Sequence, residues 1–233
     1  YTWWSNRGDV SDTTLTRAFD LRGVQTATLS VWMWYDIEAD WDYAYILAST
    51  DGGERWNILA GPGAVTSTPN GNSLGPAYTG KSGGGEEAAW VQERIDLGPY
   101  AGHEVLLRFE LVTDDAVTHP GLFVDDVAIE AIGYFEDFEA GEGGWAGAGF
   151  LRTDNRFPQR YLVQAIVLGR GEPAVHRLEL DGEEHGRLAL EGPWEETAQV
   201  VLAISALAPA TTEVAPYRYE IRPTRPGEDA GQP

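Results

Sequence analysis

The chain breaks into short stretches in which apolar and polar residues alternate, each stopped by Gly, Pro, Asn or Asp, and this rhythm leaves little but antiparallel β structure open to it. In TATLSVWMWYD, Leu29, Val31, Met33 and Tyr35 share one face, while Thr28, Ser30, Trp32 and Trp34 share the other. In EVLLRFELV, Val105, Leu107, Phe109 and Leu111 point one way and Arg108 and Glu110 the other. GLFVDDVAIEAI and LTRAFDL read similarly, and helical periodicity is nearly absent. Asp51-Gly52 after YAYILAST is a hairpin signal, which predicts that residues 43–50 pair with 55–60.

With 233 residues, a 42% hydrophobic content and 9 Trp, 10 Tyr and 7 Phe, there is enough apolar bulk to fill a core. The alternation persists through residues 1–133, which are expected to form one antiparallel sandwich. It stops in AIGYFEDFEAGEGGWAGAGF, where Gly and acids cluster, so 134–159 reads as a connecting segment. YLVQAIVLG, VHRLEL, GRLALEG, TAQVVLAISAL and YRYEI then predict about five short strands of a second, smaller β-sandwich over 160–222, with 223–233 a Pro- and Gly-rich tail. Within the first part, residues 61–88 carry eight glycines and no periodicity; a loop of that length is either functional or a surface excursion packed by Tyr78 and Leu74.

A formal net charge of -21, from 37 acids against 16 bases, argues against binding to a phosphate backbone, which needs clustered Lys and Arg. The same excess suits divalent cations and repels anionic membranes. No apolar run is long enough to insert into a bilayer as a helix. Without cysteine there is no disulfide, thiol nucleophile or thiolate metal site. The first residue is Tyr1, so the start of the chain carries no information about targeting. His103, His119, His176 and His185 are dispersed, and no H-E-x-x-H, nucleophile elbow or phosphate-binding glycine loop occurs, so the catalytic residues expected are none. Arg7-Gly8-Asp9 directly precedes VSDTTLTRAFDL, where Asp9 and Asp12 can cap a strand entry, and is not read as an adhesion motif.

One stretch stands out. YDIEADWDY places acids on every second position: Asp36, Glu38, Asp40 and Asp42. The spacing mimics positions 1, 3, 5 and 7 of an EF-hand loop but lacks its glycine and its closing glutamate. If a strand ends before the row and another begins after it, the acids gather at one end of a sheet. Asp125 and Asp126, expected to begin the last strand of the domain, and Asp9 or Asp12 are then the candidates to complete a shell of oxygens around Ca2+. A solvated acidic surface is the other reading of the same residues.

Several segments together carry a family resemblance. WWSNRGDVSDTTLTRAFDL, LSVWMWYDIEADWDYAYILASTDGGERWNILAG, NGNSLGPAYTGKSGG, ERIDLGPYAGHEVLLRFELVTDDAV and GLFVDDVAI follow in an order that resembles the MAM-like region of immune inhibitor A-like secreted bacterial zinc metallopeptidases. The resemblance covers roughly residues 1–149. It implies a jelly-roll-like accessory module, C-terminal to a zinc domain, outside the cell, in which calcium is plausible. The peptidase motif itself is absent and the last third of the chain departs from the pattern. The expectation is a non-catalytic, calcium-binding accessory region with a stabilising or docking role, whose partners are an extracellular protein or a glycan. Two alternatives remain open. A carbohydrate-binding module would stack sugars on Trp3, Trp4, Trp34, Trp41 or Trp90, and a self-assembling surface or filament subunit would associate through its edge strands.

Overall fold

The computed structural model describes residues 1–156, 159–169, 171–190, 199–208 and 214–222. Its elements are β1 (Thr2–Trp4), β2 (Asp12–Asp20), β3 (Thr28–Asp36), β4 (Tyr43–Ser49), β5 (Asn57–Leu59), β6 (Val91–Asp96), β7 (Glu104–Val112), β8 (Gly121–Ile129), β9 (Tyr134–Glu136), β10 (Ala146–Ala148), β11 (Leu151–Thr153), β12 (Tyr161–Leu168), β13 (Ala174–Leu178) and β14 (Gln199–Ala206). Two single turns of 3-10 helix, Gly98–Tyr100 and Glu130–Ile132, are the only helical residues among those described. The chain divides into two units, Tyr1–Arg156 and Phe157–Pro233.

The first unit is built from two antiparallel sheets with strand orders β11-β1-β8-β3-β6 and β10-β2-β7-β4-β5, β9 joining β8 beyond β1. The pairs β1·β8, β2·β7, β3·β6 and β4·β5 are those of one long hairpin with its tip between β4 and β5. Rolling that hairpin over itself adds β3·β8 and β4·β7 and places alternate strands in opposite sheets. This is a jelly roll. One core cluster draws on the inner faces of both sheets: Leu29, Val31 and Met33 from one, Leu15, Leu107 and Phe109 from the other, all 0% exposed. Burying each such side chain contributes about 1.5–3 kcal/mol, which is why the alternation in β3 and β7 fixes the register: a slip of one residue would turn every core side chain to water.

β4 breaks the alternation because it is buried on both faces. Ala44, Ile46 and Ala48 face the sandwich core, while Tyr43, Tyr45 and Leu47 form a second cluster with Ala77 on the outside of the sheet. Residues 61–88 supply that cover. Tyr78 extends the line of β5 along β4 by exchanging backbone hydrogen bonds with Ala44, and Val65 pairs with Ala77. Glu93, 4% exposed on β6, ties the segment down by accepting hydrogen bonds from the Tyr78 hydroxyl (3.1 Å) and the Gly63 N–H (3.2 Å). Two of the segment's glycines leave no room for a side chain against Glu93: a Cβ would lie 2.1 Å from the carboxylate at Gly61 and 2.5 Å at Gly63.

Residues 134–156, read from sequence mostly as a connection, are bonded into this unit. β10 pairs with β2 and β11 with β1, so this hairpin adds an outer strand to each sheet on the same side of the sandwich. Phe138, Trp145 and Phe150 reach the core. At the crossing, Gly149 has φ 87°, and a Cβ there would meet Thr13 Cγ2 at 2.4 Å, so only glycine fits.

The second unit contains, among the described residues, one three-stranded antiparallel sheet in the order β13-β12-β14. Among the described residues of this unit, Ala165 is the one buried hydrophobic residue. GRLALEG and YRYEI are not strands where they are described, and the tail expected at 223–233 lies outside the described residues.

Candidate metal centre

The jelly roll assembles an acidic site from loops far apart in sequence. Asp36 ends β3 and Tyr43 starts β4, so residues 37–42 carry the chain from one sheet to the other. Ile37 anchors the turn in the core at 2% exposure, its N–H on the Gly80 carbonyl. The N–H groups of Trp41 and Asp42 fold back onto the Glu38 carbonyl at 3.4 and 3.1 Å, with Asp40 in a left-handed conformation at φ 67°. That reversal brings Glu38 and Asp42 together. Because β4 starts opposite the end of β7, with Tyr43 beside Val112, Asp114 falls next to Asp42, and its N–H donates to Asp42 Oδ1 at 2.9 Å.

One carboxylate oxygen each from Glu38, Asp42 and Asp114 lie within 4.8 Å of one another. Two oxygens each about 2.4 Å from a shared Ca2+ are at most ~4.8 Å apart, so the three groups fit a single hard cation. The electrostatics point the same way. Burial, then the charges of Asp114 and Asp42, push the Glu38 carboxyl up, with His119 opposing. Burial also pushes Asp42 up, and backbone hydrogen bonds from Asp114 and Glu38 only partly offset it. A divalent cation would remove that repulsion.

The other acids of the expected set have other partners. Asp36 is held by bases, its Oδ1 2.8 Å from His119 Nδ1 and its Oδ2 4.0 Å from Lys81 Nζ. Asp9 accepts the Thr118 hydroxyl at 2.6 Å and adds its negative charge to the field at Glu38. Asp40 contributes backbone: its N–H reaches Thr79 Oγ1, and its carbonyl accepts the Tyr43 hydroxyl and the Asn70 amide. Asp12 starts β2, and its charge adds to burial in pushing up the Glu110 carboxyl, which accepts a hydrogen bond from Arg108.

Asp125 and Asp126 lie in the middle of β8 rather than at its start. The pairing of β8 with β3 shifts register between Ser30 and Trp32, a bulge that leaves Asp126 at φ 46° and Asp125 opposite Trp32. Burial, with the charges of Asp126 and Glu139, pushes the Asp125 carboxyl up to about 6. Asp114 was not among the expected residues, although VTDDAV places two acids directly after a strand. Of the tryptophans named for sugar stacking, Trp3 and Trp4 are buried, Trp34 is half-buried, and Trp41 and Trp90 are exposed.

Residues 1–155 match the family described as the immune inhibitor A-like MAM domain. The pre-pro-metalloprotease PrtV of Vibrio cholerae is 32% identical over 155 residues, 66% of this chain and 16% of that protein. Immune inhibitor A of Bacillus thuringiensis is 26% identical over 142 residues, covering 60% of this chain and 19% of that protein. Bacillopeptidase F of Bacillus subtilis is 28% identical over 96 residues, 41% of this chain and 5% of that protein. The chain thus spans less than a fifth of the length of each of these relatives. Through its jelly roll, the chain belongs to the immune inhibitor A-like MAM domain family.

Proposed function

We propose that this chain is a calcium-stabilised, non-catalytic accessory region of a secreted bacterial peptidase, with any cleavage carried out by another part of the parent protein. The observation that carries the reading is the convergence of Glu38, Asp42 and Asp114 from two loops, their oxygens within 4.8 Å of one another. Two of the three relatives named above are called a metalloprotease or a peptidase, which supports the parent assignment.

A cation there would fasten the β3–β4 turn to the segment after β7, and Asp9 and Thr118 bring the β1–β2 and β7–β8 loops to the same end of the sandwich. Calcium takes six to eight oxygens, so loop carbonyls and water would complete the shell. The ion would act by mass action on the folded state, adding about 2.7 kcal/mol at 100 times its dissociation constant. The test is calorimetric titration of Ca2+ into chelator-treated protein: one site lost in Asp114→Asn and in Glu38→Gln supports the reading, and no binding heat at millimolar calcium removes it.

A further inference from the structure

The outer face of the sheet β11-β1-β8-β3-β6 carries an aromatic strip that the family assignment does not explain. Cross-strand partners share a face, and the pairs Trp4–Leu151, Trp4–Phe123 and Trp34–Phe123 set Leu151, Trp4, Phe123 and Trp34 in one row. Trp90, the residue before β6, extends that row and is 43% exposed. Trp4 stacks on Phe123 with ring centroids 5.8 Å apart, and Trp34 meets Phe123 edge-on at 5.5 Å. The indole N–H groups of Trp4 and Trp34 donate to the carbonyls of Pro120 and Ala88, which locks both rings in place. Trp4 is 4% exposed, so the open part of the row runs from Phe123 through Trp34 to Trp90, two strand spacings of about 4.8 Å or ~10 Å in all, the reach of about three extended residues.

The next row along the strands places Asp125 beside Trp32, which is 36% exposed. Asp126 and Glu139 add negative charge around Asp125. The nearby arginines are otherwise engaged or remote. Arg152 is bonded to the carbonyls of Phe138 and Glu139, and Arg94 lies a further row away, lining the same polar dimple as Glu130. Among the described residues no guanidinium lies over Trp32, whereas Arg108 sits 3.9 Å from the centre of the Trp56 ring, and Arg17 and Arg152 cover other aromatic rings. A carboxylate against an exposed indole is the pair that holds a guanidinium or ammonium, by charge-assisted hydrogen bonding and cation–π attraction together.

We infer that this face docks an extended, arginine- or lysine-bearing segment of a partner protein, with one cationic side chain seated between Asp125 and Trp32 and its neighbours lying along the aromatic row. Charge favours this occupant: a chain of net charge -21 repels anionic partners, and a neutral sugar would leave Asp125 without its counter-charge. The site is separate from the acidic turn of Glu38, Asp42 and Asp114, so it stands or falls apart from the calcium reading.

The experiment titrates the full chain, in chelator and again in calcium, with an amidated hexapeptide of alternating glycine and arginine, with its glutamate counterpart, and with a cello-oligosaccharide. Tryptophan fluorescence and calorimetry report binding. The arginine peptide is expected to bind and the glutamate peptide not to. Affinity should fall about tenfold in Trp32→Ala and in Asp125→Asn, survive in Trp32→Phe, and weaken as salt rises. Asp125→Asn removes no core contact, so it reports on docking even if Trp32→Ala folds poorly. Equal binding by wild type, Asp125→Asn and Trp32→Ala would reduce the effect to non-specific attraction by an acidic chain, and binding of the oligosaccharide in place of the peptide would make the face a glycan platform; either result overturns the inference.

Discussion

Asp125 carries a stability cost whose sign and size follow from its surroundings. Its folded pKa is raised from 3.8 to about 6, chiefly by burial. The folded state therefore takes up this proton at a higher pH than the unfolded chain does, and stability declines as pH rises from about 4 through 6. Each pKa unit is worth about 1.36 kcal/mol, which sets a ceiling near 3 kcal/mol, and screening by solvent at this half-buried position reduces it to about 1 kcal/mol. Asn keeps the shape and can still accept the Asp126 N–H, bonded at 2.8 Å, without the charge. Asp125→Asn should therefore be more stable than wild type by about 1 kcal/mol near pH 7.5, roughly 2–4 °C in melting temperature, with the gap closing below about pH 4. Thermal melts of both proteins across that range provide the assay. A variant no more stable than wild type at pH 7.5, or a gap unchanged at low pH, would show that the carboxylate is not strained. The same substitution is predicted to weaken peptide docking, so the residue trades stability for a surface charge.

Three further outcomes follow from packing. Phe109→Ala removes a ring that is 0% exposed and packs on Trp145 at 5.5 Å, and should cost about 3–5 kcal/mol in urea unfolding. Glu93→Ala strands the Tyr78 hydroxyl and the Gly63 N–H under the 61–88 segment; a loss of about 3 kcal/mol and faster proteolytic nicking between residues 61 and 88 are expected. Gly149→Ala combines φ 87° with a clash against Thr13 and should cost about 1–3 kcal/mol, read in the same denaturation experiment.

The inner faces of β3 and β7 were legible because each is a clean alternation with one side in the core, and the hairpin of β4 with β5 was legible from Asp51-Gly52. β4 itself gave no alternation because Tyr43, Tyr45 and Leu47 are covered by a loop, and no local pattern reveals which loop will fold over which face. Residues 134–156 looked like a linker because β9, β10 and β11 are three-residue strands too short to show a period; they are strands because β8, β2 and β1 offer them edges. The acidic turn was visible in sequence through Glu38 and Asp42, but its third member, Asp114, depends on β4 lying beside β7, a pairing more than sixty residues apart along the chain. Asp125 and Asp126 were drawn into the same set by their charge and by an expected place at the start of the last strand, whereas β8 begins at Gly121; the bulge that sets Asp125 against Trp32 has no short-range signature.

The calcium reading is tested most directly by melting chelator-treated wild type, Asp114→Asn and Asp42→Asn with and without millimolar CaCl2. Calcium is expected to raise the melting temperature of wild type by several degrees, in line with about 2.7 kcal/mol at 100 times the dissociation constant, and to leave both variants nearly unmoved. An unchanged wild-type melting temperature, or an equal rise in all three proteins, would contradict a cation held by Glu38, Asp42 and Asp114.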